Sequence, residues 1–233
     1  MLPRRGTAVA RRSRDVRVVG QAPLYFRPVA DVPLTLDPAL SSTLARALDV
    51  EGKNARALDA LGPIGGRDVV VVGPGETEQR RLTEAGGRLT PVPVLGDNGG
   101  WPIPNSSADA LIASWSGFRG VDDRELAEAD RVLRPSGRLL VVHDYGRDDV
   151  SRLRGDLPEY RVWSRRDGPF LSSGFRIRVL HCFWTFESVD TAREFLAAAF
   201  GESGAALGAE LRRPRLTYNV AIYHRTRGDA SAS

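Results

Sequence analysis

The sequence predicts a three-layer α/β fold, with a mostly parallel sheet of about six strands and helices on both faces. Three observations predict it. Residues 69 to 72 are four valines running into Gly73, Pro74 and Gly75, the pattern of a buried parallel strand that meets a tight turn. Strand-like and helix-like segments then alternate as far as residue 143, the rhythm of βαβ units. Beyond residue 174, apolar and polar residues alternate in two runs separated by one helical pattern. Those runs fit an antiparallel hairpin that closes one edge of the sheet.

Each element has a local reason. Asp37-Pro38 reads as an N-cap followed by proline at the first helical position, and Leu40, Leu44, Ala47 and Leu48 follow at helical spacing. A second helix is expected from Asn54 to Leu61, stopping at Gly62-Pro63. Asp68 to Val72 is a strand, and Glu76 to Ala85 is a helix ended by Gly86-Gly87. Leu89 to Val94 is a strand whose Pro91 and Pro93 suit a sheet edge. Ala108 to Trp115 is a buried strand. Asp122 and Glu125 give a D-x-x-E capping signal for a helix to Leu133. Pro135, Ser136 and Gly137 end it, and Arg138 to His143 is the next strand. Phe175 to Trp184 alternates as a strand, Ser188 caps a helix to Phe200 that Gly201 terminates, and Leu216 to Ile222 is the last strand. The boundaries expected are a basic tail over residues 1–20, one domain over 21–225 that opens with an extended arm, and a second tail over 226–233.

Composition narrows the function classes. No apolar run reaches membrane-spanning length, and no signal-peptide stretch opens the chain. Cys182 is the only cysteine, which fits a cytoplasmic protein. The net charge of +4 comes from the N-terminus: six of the 33 basic and one of the 29 acidic residues lie in the first 17, which leaves 27 and 28. The body is therefore near neutral. Nucleic acid is expected as a partner only through the tail arginines, and a solvated tail explains them as well.

The glycine turn suits a nucleotide-like ligand, but the dinucleotide pattern G-x-G-x-x-G fails because Glu78 holds its last position. No G-K-[ST] follows either. Glu76 and Glu78 would oppose a pyrophosphate at the helix N-terminus. Three stretches in order, VVVVGPGETE (residues 69–78), WPIPNSSADALIASW (residues 101–115) and ELAEADRVLRPSGRLLVV (residues 125–142), carry a more specific message. With the C-terminal strand-helix-strand, they make the chain resemble a class I S-adenosylmethionine-dependent methyltransferase of the type-11 kind, over roughly residues 54–224. The resemblance implies a Rossmann-like methyltransferase fold with an antiparallel C-terminal hairpin, S-adenosylmethionine as cofactor and a small-molecule acceptor.

It also exposes departures. The acid usual two residues before the first glycine is Val71, and the third glycine is Thr77. The strand that should end in a ribose-binding acid has none, and Asp97 is the substitute. Only Leu95 to Gly100 stands where the family places a further helix and strand, so the adenosine wall is shortened. In the functional reading Gly73, Gly75, Glu76, Thr77, Asp97 and Trp115 hold the cofactor, and Trp101 or Ile103 covers adenine. His143 is the candidate base, oriented by Asp144 or Tyr145, with Tyr145 a second catalytic candidate. A half-buried histidine bonded to backbone explains His143 equally. Arg165, Arg166 and Phe170 mark a loop suited to an acidic or planar substrate, or a solvated loop. The alternative to an enzyme is a methyltransferase-like protein without cofactor, serving as a binding or oligomerisation module, with a homodimer as one candidate assembly.

Overall fold

A computed structural model of the protein describes residues 34–97, 99–155 and 157–228. The basic tail, most of the extended arm and the last residues lie outside them. In chain order the elements are α1 (Pro38–Ala47), α2 (Lys53–Leu61), β1 (Asp68–Val72), α3 (Glu76–Glu84), β2 (Arg88–Val92), β3 (Ala108–Ser114) and α4 (Asp123–Val132). They continue with β4 (Leu133–Asp144), α5 (Asp149–Arg154), a 3₁₀ turn (Pro158–Tyr160), α6 (Pro169–Ser172), β5 (Arg176–Thr185), α7 (Val189–Glu210) and β6 (Arg215–Thr226).

One six-stranded sheet runs β2-β1-β3-β4-β6-β5. The pairs β1–β2, β1–β3 and β3–β4 are parallel, while β4–β6 and β5–β6 are antiparallel. The α/β fold with its antiparallel C-terminal hairpin is thus as the sequence predicts. Strand alternation divides the core. Val69, Val71, Ile112, Leu140 and Val142 pack with α1, α2 and α7 on one face. Val70, Val72, Leu111, Ala113 and Val141 pack with α4 and an aromatic group around Phe170 on the other. Both sheet faces are covered, which is why the central strands read as unbroken apolar runs.

Caps follow the predicted chemistry at three helices. The Asp37 carboxylate accepts from Ala39 N and Leu40 N at 2.9 Å. Asp122 accepts from Arg124 N at 2.7 Å, and Ser188 accepts from Thr191 N at 3.0 Å. Gly201 ends the first helical stretch as expected: its φ of 58° and ψ of −136° are not helical, and a second stretch resumes behind the kink and runs to Glu210. Glycine absorbs the left-handed residue without a Cβ penalty, and the second stretch, rich in alanine and glycine, follows. The start of β4 does differ, since the strand begins at Leu133 and takes in Pro135, Ser136 and Gly137.

β2 is an edge strand, as Pro91 requires. The segment after it is pinned to α4. The Glu128 carboxylate accepts from Trp101 N at 2.6 Å, and Arg131 donates to the carbonyls of Trp101 at 3.0 Å and Ile103 at 2.7 Å. Trp101 Nε1 donates to Pro93 O at 2.9 Å, and the ring is 5% exposed. The W-P-I-P stretch is therefore a strap along the side of the fold, anchored by the buried Trp101 while Pro102 and Pro104 are exposed.

Candidate functional site

In an open α/β sheet, ligands bind beyond the carboxyl ends of the strands. A cleft of about 520 Å³ lies there. Val94, Leu95, Gly96 and Asp97 follow β2 along one side. Trp115, Ser116, Gly117 and Arg119 follow β3. The start of α4 contributes Asp122, Arg124 and Glu125, Arg154 closes α5, and Leu34 and Thr35 line the remaining side. The volume falls within the range of small-molecule sites, about 300–1,000 Å³.

The loop after β3 is the strained part. Trp115, Phe118 and Val121 all have left-handed backbones, with φ of 51°, 56° and 65°. Such conformations cost about 1–3 kcal/mol each away from glycine and persist only where the surroundings over-determine them. Here they do. Trp115 N donates to Val142 O at 2.8 Å, Ser116 Oγ to Val72 O at 2.6 Å, and Phe118 N to Glu125 Oε1 at 2.8 Å. The Phe118 ring is fully buried.

Asp144, 3% exposed, anchors the same loop from below. Its carboxylate accepts from Trp115 Nε1 at 2.9 Å and from Tyr160 OH at 3.5 Å, and also from Tyr218 OH and the Arg154 guanidinium. Arg154 thus reaches from the cleft wall to a buried carboxylate. Trp115 separates the cleft from a narrow cavity of about 90 Å³ between α2 and α3, because its side chain lines both.

The predicted residues are not all brought together. Asp97 and Trp115 face the cleft. Gly73 lies just behind it, at φ 55°, where a Cβ would meet Val94 Cγ2 at 3.1 Å and Ser116 Cβ at 3.3 Å. The close approach that its missing side chain permits is taken up by the protein's own Val94. Gly75 is the buried N-cap of α3, and Glu76 is exposed on that helix. Thr77 lines the narrow cavity instead. Trp101 and Ile103 do not line the cleft, because the Glu128–Arg131 pair holds their segment against α4.

His143 is 1% exposed and lies below the strained loop rather than in the cleft. Its Nε2 stands 3.3 Å from Phe118 O. A carbonyl only accepts, so the proton is on Nε2. The ring meets Trp163 edge-on at 4.8 Å between centroids. Burial above all, and then the Arg119 charge, push its pKa down to about 3, so it is neutral at pH 7. Tyr145 is half-buried, with the Arg147 guanidinium 5.5 Å from its ring centre. The arginine–aromatic loop is also structural: Arg165 pairs with Asp167 at 3.0 Å, and Phe170 is fully buried, stacked on Tyr223 at 3.9 Å.

Sequence reasoning missed Arg119, Glu125 and Arg154. Only the D-x-x-E signal touched Glu125, and it was read as a helix cap. Among the described residues no group of histidine, cysteine and acidic side chains could hold a metal ion, and no helix is long and apolar enough to cross a membrane.

No protein-family model matches this sequence, and no curated protein matches it significantly. Solved structures do. A candidate type II methyltransferase from Anaeromyxobacter dehalogenans superposes with a TM-score of 0.51 at 22% identity, covering 74% of this chain and 94% of that one. A candidate methyltransferase from Haloferax volcanii, solved with a methyltransferase activator, gives 0.49 at 16% identity, covering 79% and 91%. A candidate methyltransferase from Bacillus halodurans gives 0.41 at 13%, covering 76% and 99%. With the strand order above, the first of these likenesses shows a shared fold, the Rossmann-like fold of that candidate methyltransferase.

Proposed function

We propose that this chain binds S-adenosylmethionine in the Asp97–Trp115 cleft and is a methyltransferase acting on a small-molecule acceptor. One observation carries the reading: in a methyltransferase fold, a carboxylate and an indole converge on a small-molecule cleft at the carboxyl ends of β1 to β3. The nucleoside half of the cofactor fits these groups. Asp97 offers acceptors to ribose hydroxyls, and Trp115 and Leu95 offer flat apolar surface to the base. The methionine half has no contact with Gly73, which Val94 and Ser116 cover, and none is assigned to it.

When bound, the cofactor supplies an electrophilic methyl group on a sulfonium. The protein's task is then to align a nucleophile and exclude water. Neutral, buried His143 takes no part in that as a base. Arg119 lines the cleft with its side chain 52% exposed, but its guanidinium already pairs with buried Glu159 at 2.7 Å, so it frames the acceptor side and is not assigned to an anionic group.

Calorimetric titration with S-adenosylmethionine and S-adenosylhomocysteine tests the reading. Binding that weakens by about tenfold or more in Asp97→Ala supports it; no binding at millimolar ligand overturns it. The second reading, a methyltransferase fold that has lost its cofactor, is favoured by Val94 lying over Gly73. Val94→Ala separates the two. A cofactor-binding protein gains room beside Gly73 and keeps or improves its affinity, whereas a cofactor-free module binds in neither form.

A further inference from the structure

The sheet ends at β5 on the side away from β2 and the cleft. β5 pairs with β6 over all ten residues, but its outer edge is only partly covered. Leu48 bridges to Trp184 near one end. Lys53 Nζ donates to His181 O at 2.8 Å, so the His181 carbonyl points away from β6. In an antiparallel strand both backbone groups of a residue point to one side, and the side alternates. The N–H and C=O of Val179 and Ile177 therefore point outward as well, and among the described residues no strand pairs with them.

Beside this edge lies a groove of about 310 Å³ between α2 and β5. Arg56 and Lys53 rim it from the helix, Arg178 and His181 from the strand. Lys53 has Glu51 at 2.6 Å. Among the described residues no carboxylate forms an ion pair with Arg56, Arg176 or Arg178, and all three are exposed. The positive field is felt nearby: burial, and then Arg138, Arg176 and Arg178, hold His224 below the usual histidine range. In a chain whose body is near neutral, this is a local concentration of charge.

We propose that the outer edge of β5 from Arg176 to Leu180 is a docking site for an extended acidic peptide of a partner protein, added to the sheet as a further strand. Main-chain hydrogen bonds to Ile177 and Val179 would supply affinity, and side-chain carboxylates meeting Arg56 and Arg178 would supply specificity. A second copy of this chain is the poorer occupant, because pairing two β5 edges would set Arg176 and Arg178 against their own counterparts. The site is independent of the cleft and of any cofactor.

The probe is a short fluorescein-labelled peptide alternating glutamate and valine, titrated against the full chain by anisotropy, with an arginine–valine peptide as control. The glutamate peptide is expected to bind, more weakly as salt rises, and the control is not. Val179→Pro removes one outward N–H and no sheet bond to β6, and is expected to weaken binding about tenfold. Arg56→Glu, on the exposed face of α2, is expected to do the same without touching the strand. Circular dichroism checks that both variants remain folded. Failure of the peptide to bind at millimolar concentration overturns the proposal, as does indifference to both variants. Single-stranded RNA that displaces the peptide and is itself insensitive to Val179→Pro would make the patch a nucleic-acid surface instead. Self-association abolished by Val179→Pro would make the edge a contact between copies.

Discussion

Acid should destabilise this protein through His143 more than through any exposed histidine, and the size follows from its surroundings. The unfolded chain gives His143 its ordinary pKa of 6.5, while the fold lowers it to about 3. Above pH 6.5 neither state holds the proton, so the group contributes nothing to pH dependence. Below it, the unfolded chain takes up a proton that the folded one refuses. Stability then falls by up to about 1.4 kcal/mol per pH unit until the folded state also protonates. Between pH 7 and pH 5 this amounts to about 2 kcal/mol. His143→Gln keeps a donor for Phe118 O and removes the titration. Urea unfolding at both pH values is the assay. The wild type should lose about 2 kcal/mol more than the variant on going to pH 5, because the carboxylates and His224 are common to both and cancel. Equal losses would mean that folded His143 takes up a proton in this range, and the buried, neutral imidazole would be wrong.

Other expectations test the frame of the site. Asp144→Asn leaves Arg154 beside a neutral group in a buried network and should cost about 3–5 kcal/mol in denaturant unfolding; a loss below about 1 kcal/mol would show that the carboxylate is dispensable. Gly73→Ala forces a Cβ against Val94 and Ser116 at a positive φ, and should lower stability by about 1–3 kcal/mol by the same assay. Glu76→Gln, outside the cleft, should leave S-adenosylmethionine affinity unchanged by calorimetry; a large loss would place the cofactor against α3. Glu128→Gln weakens the hold on Trp101 and should make amide exchange faster around residues 99–103 with little change in the sheet core.

Much of the fold was legible because local chemistry and burial agree along the chain. The valines of β1, the capping aspartates and the Pro91 edge each record a constraint that acts within a few residues. Gly201 reads as a stop because glycine takes a positive φ without penalty, but nothing local shows that a second helical stretch resumes behind it. The site was harder to read. A sequence pattern can place Gly73 in a turn, but it cannot say whether the space beside it belongs to a ligand or to Val94, which lies across a strand. Likewise Trp115, Phe118 and Val121 are residue types that give no hint of positive φ. At Trp115, Ser116 and Phe118 the backbone is held by partners at Val142, Asp144, Val72 and Glu125, most of them distant in the chain.

The distribution of those partners bears on how the cleft works. Among the described residues no strand pairs with the outer edge of β2, and the segment that follows is the Trp101 strap, pinned by Glu128 and Arg131. One wall is thus short, and exposed Asp97 stands at its rim. The opposite wall is over-built: Trp115 is fixed by its backbone to β4 and by its indole to Asp144, which also holds Arg154. Rigidity is therefore concentrated after β3, and the open side is where a ligand would meet least structure. A ligand held chiefly by the Trp115–Arg154 wall is oriented by groups that do not have to move to receive it, which lowers the ordering cost of binding. By this argument, changes to Trp115 or Asp144 should alter both affinity and stability, whereas a change to Asp97 should alter affinity alone.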